Sequence, residues 1–291
     1  MRRAKRMSLL RAGAAGLAAA ATVLVLTSFM LSPRLSEGIT VIAHRGASGF
    51  APENTMAAFE LAVEMKADYL ELDVHLSKDG ELVVLHDETL ERTTDGVGLV
   101  KDHTWAELSA LDAGSKYEPA FHDERIPLLR EVMDRYAGRI GILIELKKTA
   151  LYPGIEEKLA ELIEDYDVAV AAGRDGREAP VMIQSFDRES VRFLAQRLPD
   201  IPRAVLVHPD EHPLSADTLT DLASYADYIN CNFEELDRGL VRDIHAQGRK
   251  VMAWTLRDER EMERIARLGV DGIITDYPVW GYEGNSRHTS P

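Results

Sequence analysis

The chain has 291 residues, 45% of them hydrophobic and 29% charged. This composition excludes a mainly disordered tail, a collagen-like fibre and a polytopic membrane protein. Its net charge of −15 hides an asymmetry: residues 1–34 hold six bases and no acid, leaving 28 bases against 49 acids, or −21, on the body. Such a body repels nucleic acid and anionic membrane surfaces, so no nucleic-acid partner is expected. The single cysteine, Cys231, rules out an internal disulfide and a thiolate zinc cluster and reads as a small core residue.

The N-terminal segment comes first. Behind a basic leader (Arg2, Arg3, Lys5, Arg6, Arg11), the chain is uncharged from Ala12 to Pro33, with an apolar centre at Leu17–Leu31. This has the layout of a secretory signal and about the 20 residues that a spanning helix needs. No small-x-small cleavage site follows, so the expectation for residues 1–34 is an uncleaved signal-anchor helix, with a cleaved leader and a secreted body as the alternative. The basic flank puts Met1 in the cytoplasm and the body outside.

From residue 38 to 280, apolar runs of strand length alternate with amphipathic stretches. The runs are Thr40–Ala43, Tyr69–Leu76, Leu82–Leu85, Ile140–Leu146, Val181–Ser185, Ala204–Val207, Tyr228–Cys231, Val251–Thr255 and Gly272–Thr275. The helical stretches include Thr55–Met65, Ile155–Asp165, Glu189–Leu198, Glu234–His245 and Glu259–Arg267. The last has Asp258 at the N-cap position, Glu261 three residues on, and Gly269 just past its end. This alternation predicts an α/β fold, a (β/α)8 TIM barrel.

Nine strands are one too many. Tyr69–Leu76 and Leu82–Leu85 are joined by only five residues, too few for a parallel crossover, so they predict an extra β-hairpin. A doubly wound open sheet is the competing architecture, but no G-x-G-x-x-G loop follows the first strand. The polar stretch at about 88–126 is long for a loop and predicts a cap over the barrel mouth. Residues 281–291 read as a polar tail.

Barrel enzymes place their chemistry at the C-terminal ends of the strands. Here those ends carry His44-Arg45-Gly46, Glu71-Leu72-Asp73, His86-Asp87, Glu145-Leu146-Lys147 and Thr275-Asp276. Glu71 and Asp73 share a face of their strand. With Glu145 they form a set of hard oxygen donors suited to Ca2+ or Mg2+. The competing reading is a buried ion-pair network with Arg45 and Lys147. Two histidines at one rim, His44 and His86, can divide general base and general acid. Arg45 and Lys147 bring fixed positive charge suited to phosphate. Trp254 either fills core or lines the pocket, and His75 shares the face of Glu71 and Asp73. His208 and His212 are four apart, but their flanking prolines deny a helical metal pair.

In order along the chain, His44-Arg45-Gly46, Pro52-Glu53-Asn54-Thr55, Glu71-Leu72-Asp73-Val74, Leu85-His86-Asp87, Glu145-Leu146-Lys147, Trp254-Thr255 and Asp276-Tyr277-Pro278 resemble the glycerophosphodiester phosphodiesterase family. The resemblance implies a (β/α)8 barrel and divalent-metal-dependent hydrolysis of small glycerophosphodiesters to glycerol 3-phosphate and an alcohol. It implies Glu71, Asp73 and Glu145 as metal ligands, His44 and His86 as the acid/base pair, and Arg45 and Lys147 on the phosphate. Competing functions are a lysophospholipase D or sphingomyelinase D-like phosphodiesterase and an inactive anchored binding module. The charged 88–126 segment favours soluble diesters over the lipid substrates, and none of the functional positions is lost, which disfavours the binding module. Neither reading fixes the oligomeric state.

Overall fold

The computed structural model describes residues 38–166 and 181–279. The predicted leader (1–34) and tail (281–291) lie outside them. Among the described residues, no helix is long and apolar enough to cross a membrane.

The strands, in chain order, are β1 (Thr40–Ala43), β2 (Tyr69–Leu76), β3 (Leu82–Val84), β4 (Gly141–Leu146), β5 (Val181–Ser185), β6 (Arg203–Val207), β7 (Tyr228–Asn232), β8 (Met252–Leu256) and β9 (Gly272–Thr275). Eight of them run parallel in the order β1-β9-β8-β7-β6-β5-β4-β2, and pairing of β1 with β2 closes the barrel. The open-sheet alternative is therefore excluded. β2, at eight residues, uses one edge twice. Its start pairs with β1 (Ile42 with Tyr69), and its end pairs antiparallel with β3 (Val74 with Val84).

The helices are α1 (Met56–Glu64), α2 (Trp105–Leu108), α3 (Leu129–Tyr136), α4 (Ile155–Glu164), α5 (Arg188–Arg197), α6 (Ala216–Ala223), α7 (Arg238–Ala246) and α8 (Glu259–Ala266). Side-chain caps set several starts. The Asp258 carboxylate accepts from the N–H groups of Arg260 and Glu261, and Thr55 accepts from Ala58. The helix expected from Glu234 begins instead at Arg238. The Asn232 side chain holds the Glu234 N–H in a turn, and Asp237 caps Leu240 at 2.8 Å.

Period two along the strands separates two cores. Leu70, Leu72 and Val74 pack with Ile142, Ile144, Val132, Met133 and Leu159 in the layer between strands and helices. Across the barrel, Val205, Ile229, Cys231 and Ala253 do the same with Leu222, Val241 and Met262. Burial pushes the Cys231 thiol up to about 12, which leaves it an inert core residue. The opposite face fills the barrel interior: Ile42, Leu143, Met182, Met252 and Ile274 pack together with Tyr69, Tyr228 and Trp254. Truncating Leu143 to alanine in this floor should cost roughly 2–5 kcal/mol.

The segment at 88–126 is a folded cap. Leu90, Val100, Leu108, Ala113 and Ile126 bury themselves with Val83 and Leu85 in a core of their own. The cap touches the β1–α1 loop, where the Tyr117 hydroxyl donates to the Gly49 carbonyl at 3.1 Å, and the first turn of α1, where the Glu124 carboxylate accepts from the Ala57 N–H at 3.2 Å.

Gly46 shows how tightly that loop is built. Its φ is +78°, and an added Cβ would sit 2.6 Å from the Ala58 carbonyl carbon. Gly46→Ala is expected to destabilise by at least about 1–2 kcal/mol, a fall in Tm of several degrees in a thermal melt.

Candidate active site

The faces of β2 and β4 assign the site. Because Leu70, Leu72 and Val74 face the helices, Glu71 and Asp73 must point into the barrel. Strand register sets Asp73 beside Glu145 and Glu71 beside Leu143. The result is three buried carboxylates above the apolar floor, with one oxygen of each lying within 4.8 Å of the others.

Their neighbours hold them in place. The Arg45 backbone N–H donates to Glu71 Oε2 at 2.8 Å. Arg45 itself adopts a left-handed φ of 57°, a conformation that a bulky residue takes only at a cost. Asn54, also left-handed at φ 58°, gives its amide N–H to Asp73 Oδ2 at 2.8 Å and accepts from the Asp73 N–H at 3.3 Å. The Gln184 amide spans the other two, 3.4 Å from Glu71 and 3.3 Å from Glu145, and is itself held by Asn230 at 3.2 Å. Lys147 Nζ lies 2.6 Å from Glu145 and 3.5 Å from Asp73, and Arg45 Nε lies 3.4 Å from Asp73.

The electrostatics of this cluster are uneven. Burial and the charges of Asp73 and Glu145 raise the Glu71 carboxyl well above the usual carboxylate range. Burial also raises Glu145, against the pull of Lys147. Asp73 falls below its ordinary value because Lys147 and Arg45 outweigh its burial. Two cationic side chains thus fail to neutralise three buried carboxylates, which is the charge balance of a cation site. The donor set is all oxygen and fits a hard divalent ion. The ion-pair contacts of the competing reading are present, but they leave Glu71 uncompensated.

The two rim histidines are built alike. His44 Nδ1 donates to Asp276 Oδ1, and His86 Nδ1 donates to Asp87 Oδ1, each at 2.6 Å. A carboxylate can only accept, so each pair fixes the proton on Nδ1 and leaves Nε2 free for chemistry. Asp87, bound by Arg92, sits at about 2. Asp276 also sits at about 2, because its bonds from His44 and Arg257 overcome burial. Burial lowers both imidazoles, against the pull of their carboxylate partners. His75 plays a different part. Buried, and lowered to about 4 chiefly by that burial, it donates from Nε2 to the His86 carbonyl at 3.0 Å. It supports the His86 backbone rather than facing the site.

His44, Arg45, His86, Lys147 and Trp254 line one cavity together with Glu71, Glu145, Gln184 and Phe186. Of the two readings for Trp254, the pocket lining is the one seen, although its ring also closes the interior floor. Its indole Nε1 is buried without an acceptor among the described residues. Phe186 stacks between Trp254 (5.5 Å, edge-on) and His208 (4.3 Å), forming an apolar wall.

Sequence reasoning missed several contributors. Gln184 and Phe186 carried no signal. Asn54 and Glu53 lay inside a recognised motif without a role. Asp87 and Asp276 stood beside strand ends, and a rule that a rim histidine needs a carboxylate partner would have found both.

A carboxylate triad and two basic side chains at the mouth of a parallel barrel, flanked by two carboxylate-bound imidazoles, define a hydrolase of phosphoric diesters. The chain belongs to the glycerophosphoryl diester phosphodiesterase family, which matches residues 44–279. It is 37% identical over 271 residues to a glycerophosphodiester phosphodiesterase of Bacillus subtilis, covering 87% of this chain and 92% of that one. It is 42% identical over 245 residues to another from Caldanaerobacter subterraneus, covering 82% and 94%. Among solved structures, an Oleispira antarctica phosphodiesterase in complex with the product sn-glycerol-3-phosphate superposes with a TM-score of 0.72 at 32% identity, covering 86% of this chain and 96% of that one.

Proposed function

We propose that this chain hydrolyses small glycerophosphodiesters to sn-glycerol 3-phosphate and an alcohol, with Mg2+ or Ca2+ held by Glu71, Asp73 and Glu145. The observation that carries the reading is the buried carboxylate triad between two carboxylate-bound imidazoles. When bound, the ion supplies positive charge to the phosphoryl oxygens. Arg45 and Lys147 bind the remaining phosphoryl oxygens and stabilise the charge that develops there. One imidazole, through its free Nε2, takes the proton of the attacking hydroxyl: water gives glycerol 3-phosphate directly, whereas the substrate's own glycerol 2-hydroxyl gives a cyclic glycerophosphate that water then opens with the imidazole roles reversed. The other, carrying a second proton on Nε2, gives it to the departing alkoxide as the P–O bond breaks. The Trp254 ring with Phe186 covers the carbon skeleton.

Release of glycerol 3-phosphate from glycerophosphocholine by the full-length chain tests this. Activity should require Mg2+ or Ca2+, vanish with chelator and vanish in His44→Ala. A folded protein that releases nothing with either ion would overturn the reading, and lysolipid substrates would be tried next.

From the basic flank and uncharged apolar run of residues 1–34 we further propose that this segment tethers the barrel outside the cytoplasm. Cells expressing the full chain should retain it in membranes washed with alkaline carbonate. A shortened chain in the medium would identify a cleaved leader instead.

A further inference from the structure

Arg92 lies in the cap and contributes nothing to the cavity lining, yet its guanidinium joins two separate arms of the site. On one side Nη1 and Nη2 donate to the two oxygens of Glu53, each at 2.8 Å. On the other, Nε and Nη2 donate to Asp87 Oδ2 at 2.6 Å and Oδ1 at 3.0 Å. Glu53 in turn accepts from Arg45 Nη1 at 2.8 Å, and Asp87 accepts from His86 Nδ1 at 2.6 Å. A continuous chain of charge-assisted bonds therefore runs His86–Asp87–Arg92–Glu53–Arg45.

We infer that Arg92 is a positioning residue: its planar fork fixes Asp87 behind His86 and Glu53 behind Arg45, so that the folded cap sets the relative placement of the acid/base imidazole and the phosphate-binding guanidinium. Both carboxylates are partly buried, and without a shared cation between them they would repel each other. A lysine could neutralise them but could not bind both with the same planar geometry. Asp276 behind His44 also has an arginine partner, Arg257, but that side chain is 61% exposed against 46% for Arg92. The cap thus braces one imidazole more firmly than the other.

This inference rests on the reading of His86 as an acid/base group, and the experiment separates the two. In Arg92→Gln, kcat is expected to fall about 10–100-fold, as for loss of groups that orient a catalytic side chain, with a smaller rise in KM. Arg92→Lys should recover only part of the loss. In an Asp87→Asn, Glu53→Gln background, adding Arg92→Gln should cost less than about 3-fold, because both carboxylates it holds have gone. Arg192→Gln, which removes an equally good Arg–Asp pair from the helix layer, should leave kcat unchanged. If Arg92→Gln keeps kcat within about 2-fold of wild type, or costs the same in both backgrounds, the positioning role is wrong. His86→Ala with full activity would instead overturn the reading of His86.

Discussion

Adding Mg2+ or Ca2+ to the metal-free protein is expected to raise its melting temperature, and Glu71→Gln to abolish that response together with activity. The physical basis is the charge balance of the triad. Three buried carboxylates face two cationic side chains, and Glu71 is the one held above its ordinary range, by burial first and then by Asp73 and Glu145. An ion that binds only the folded state at about 100 times its Kd adds about 2.7 kcal/mol, or roughly 5–10 °C in a domain of this size. Glu71→Gln keeps the side-chain shape and the acceptor for the Arg45 N–H, but removes the charge. Its metal-free form should melt no lower than the metal-free wild type, because one source of repulsion has gone. Activity should fall by roughly 10²–10⁴-fold, the scale of losing several kcal/mol of charge stabilisation.

The pH dependence carries the same sign test. Glu71 binds its proton more tightly folded than unfolded. Its contribution to the metal-free fold is complete below about 4.5, the unfolded value, and is lost as pH rises through the raised folded value. A saturating divalent ion should flatten that decline. A metal-free wild type whose melting temperature changes with pH no differently from that of metal-free Glu71→Gln, or a Glu71→Gln protein that still gains stability from the ion, would refute the assignment. Differential scanning fluorimetry in chelated buffer, with and without added ion, reads all of these outcomes.

How far the sequence alone could reach follows from the kind of signal each residue gives. Glu71 and Asp73 were legible because two charges at strand spacing inside an apolar run cannot face a helix layer unpaired. Which face they took became clear only when Leu70, Leu72 and Val74 were seen packed against α3 and α4. Barrel closure was legible in the alternation of elements, since each strand and helix announces itself by its own periodicity. The start of α7 was not, because the chain from Glu234 to Asp237 is compatible with a helix until the Asn232 side chain claims the Glu234 N–H for a turn. Gln184 and Asn54 orient carboxylates through neutral amides, which leave no charge pattern to detect. Arg92 and Glu53 are 39 residues apart, and nothing local in the sequence says that one fork will close on both Glu53 and Asp87.

The division of labour between His44 and His86 should appear when the leaving group is changed. Both imidazoles carry a proton on Nδ1 against a carboxylate and differ mainly in their surroundings: His44 is deeper, and His86 is braced through Asp87 by Arg92 of the cap. A choline or glycerol alkoxide leaves poorly and needs a proton, whereas a nitrophenolate does not. The alanine variant lacking the general acid should therefore lose about 10²–10⁴-fold on glycerophosphocholine, yet keep most of its rate on a nitrophenyl glycerophosphodiester. The variant lacking the base should be impaired on both, because the attacking hydroxyl is the same in each. Asp276→Asn and Asp87→Asn should each follow the pattern of the histidine they hold, since an amide no longer enforces the Nδ1 proton. If His44→Ala and His86→Ala lose equal factors on both substrates, the two imidazoles do not split acid and base. Their shared role would then be to bind the phosphate beside Arg45 and Lys147.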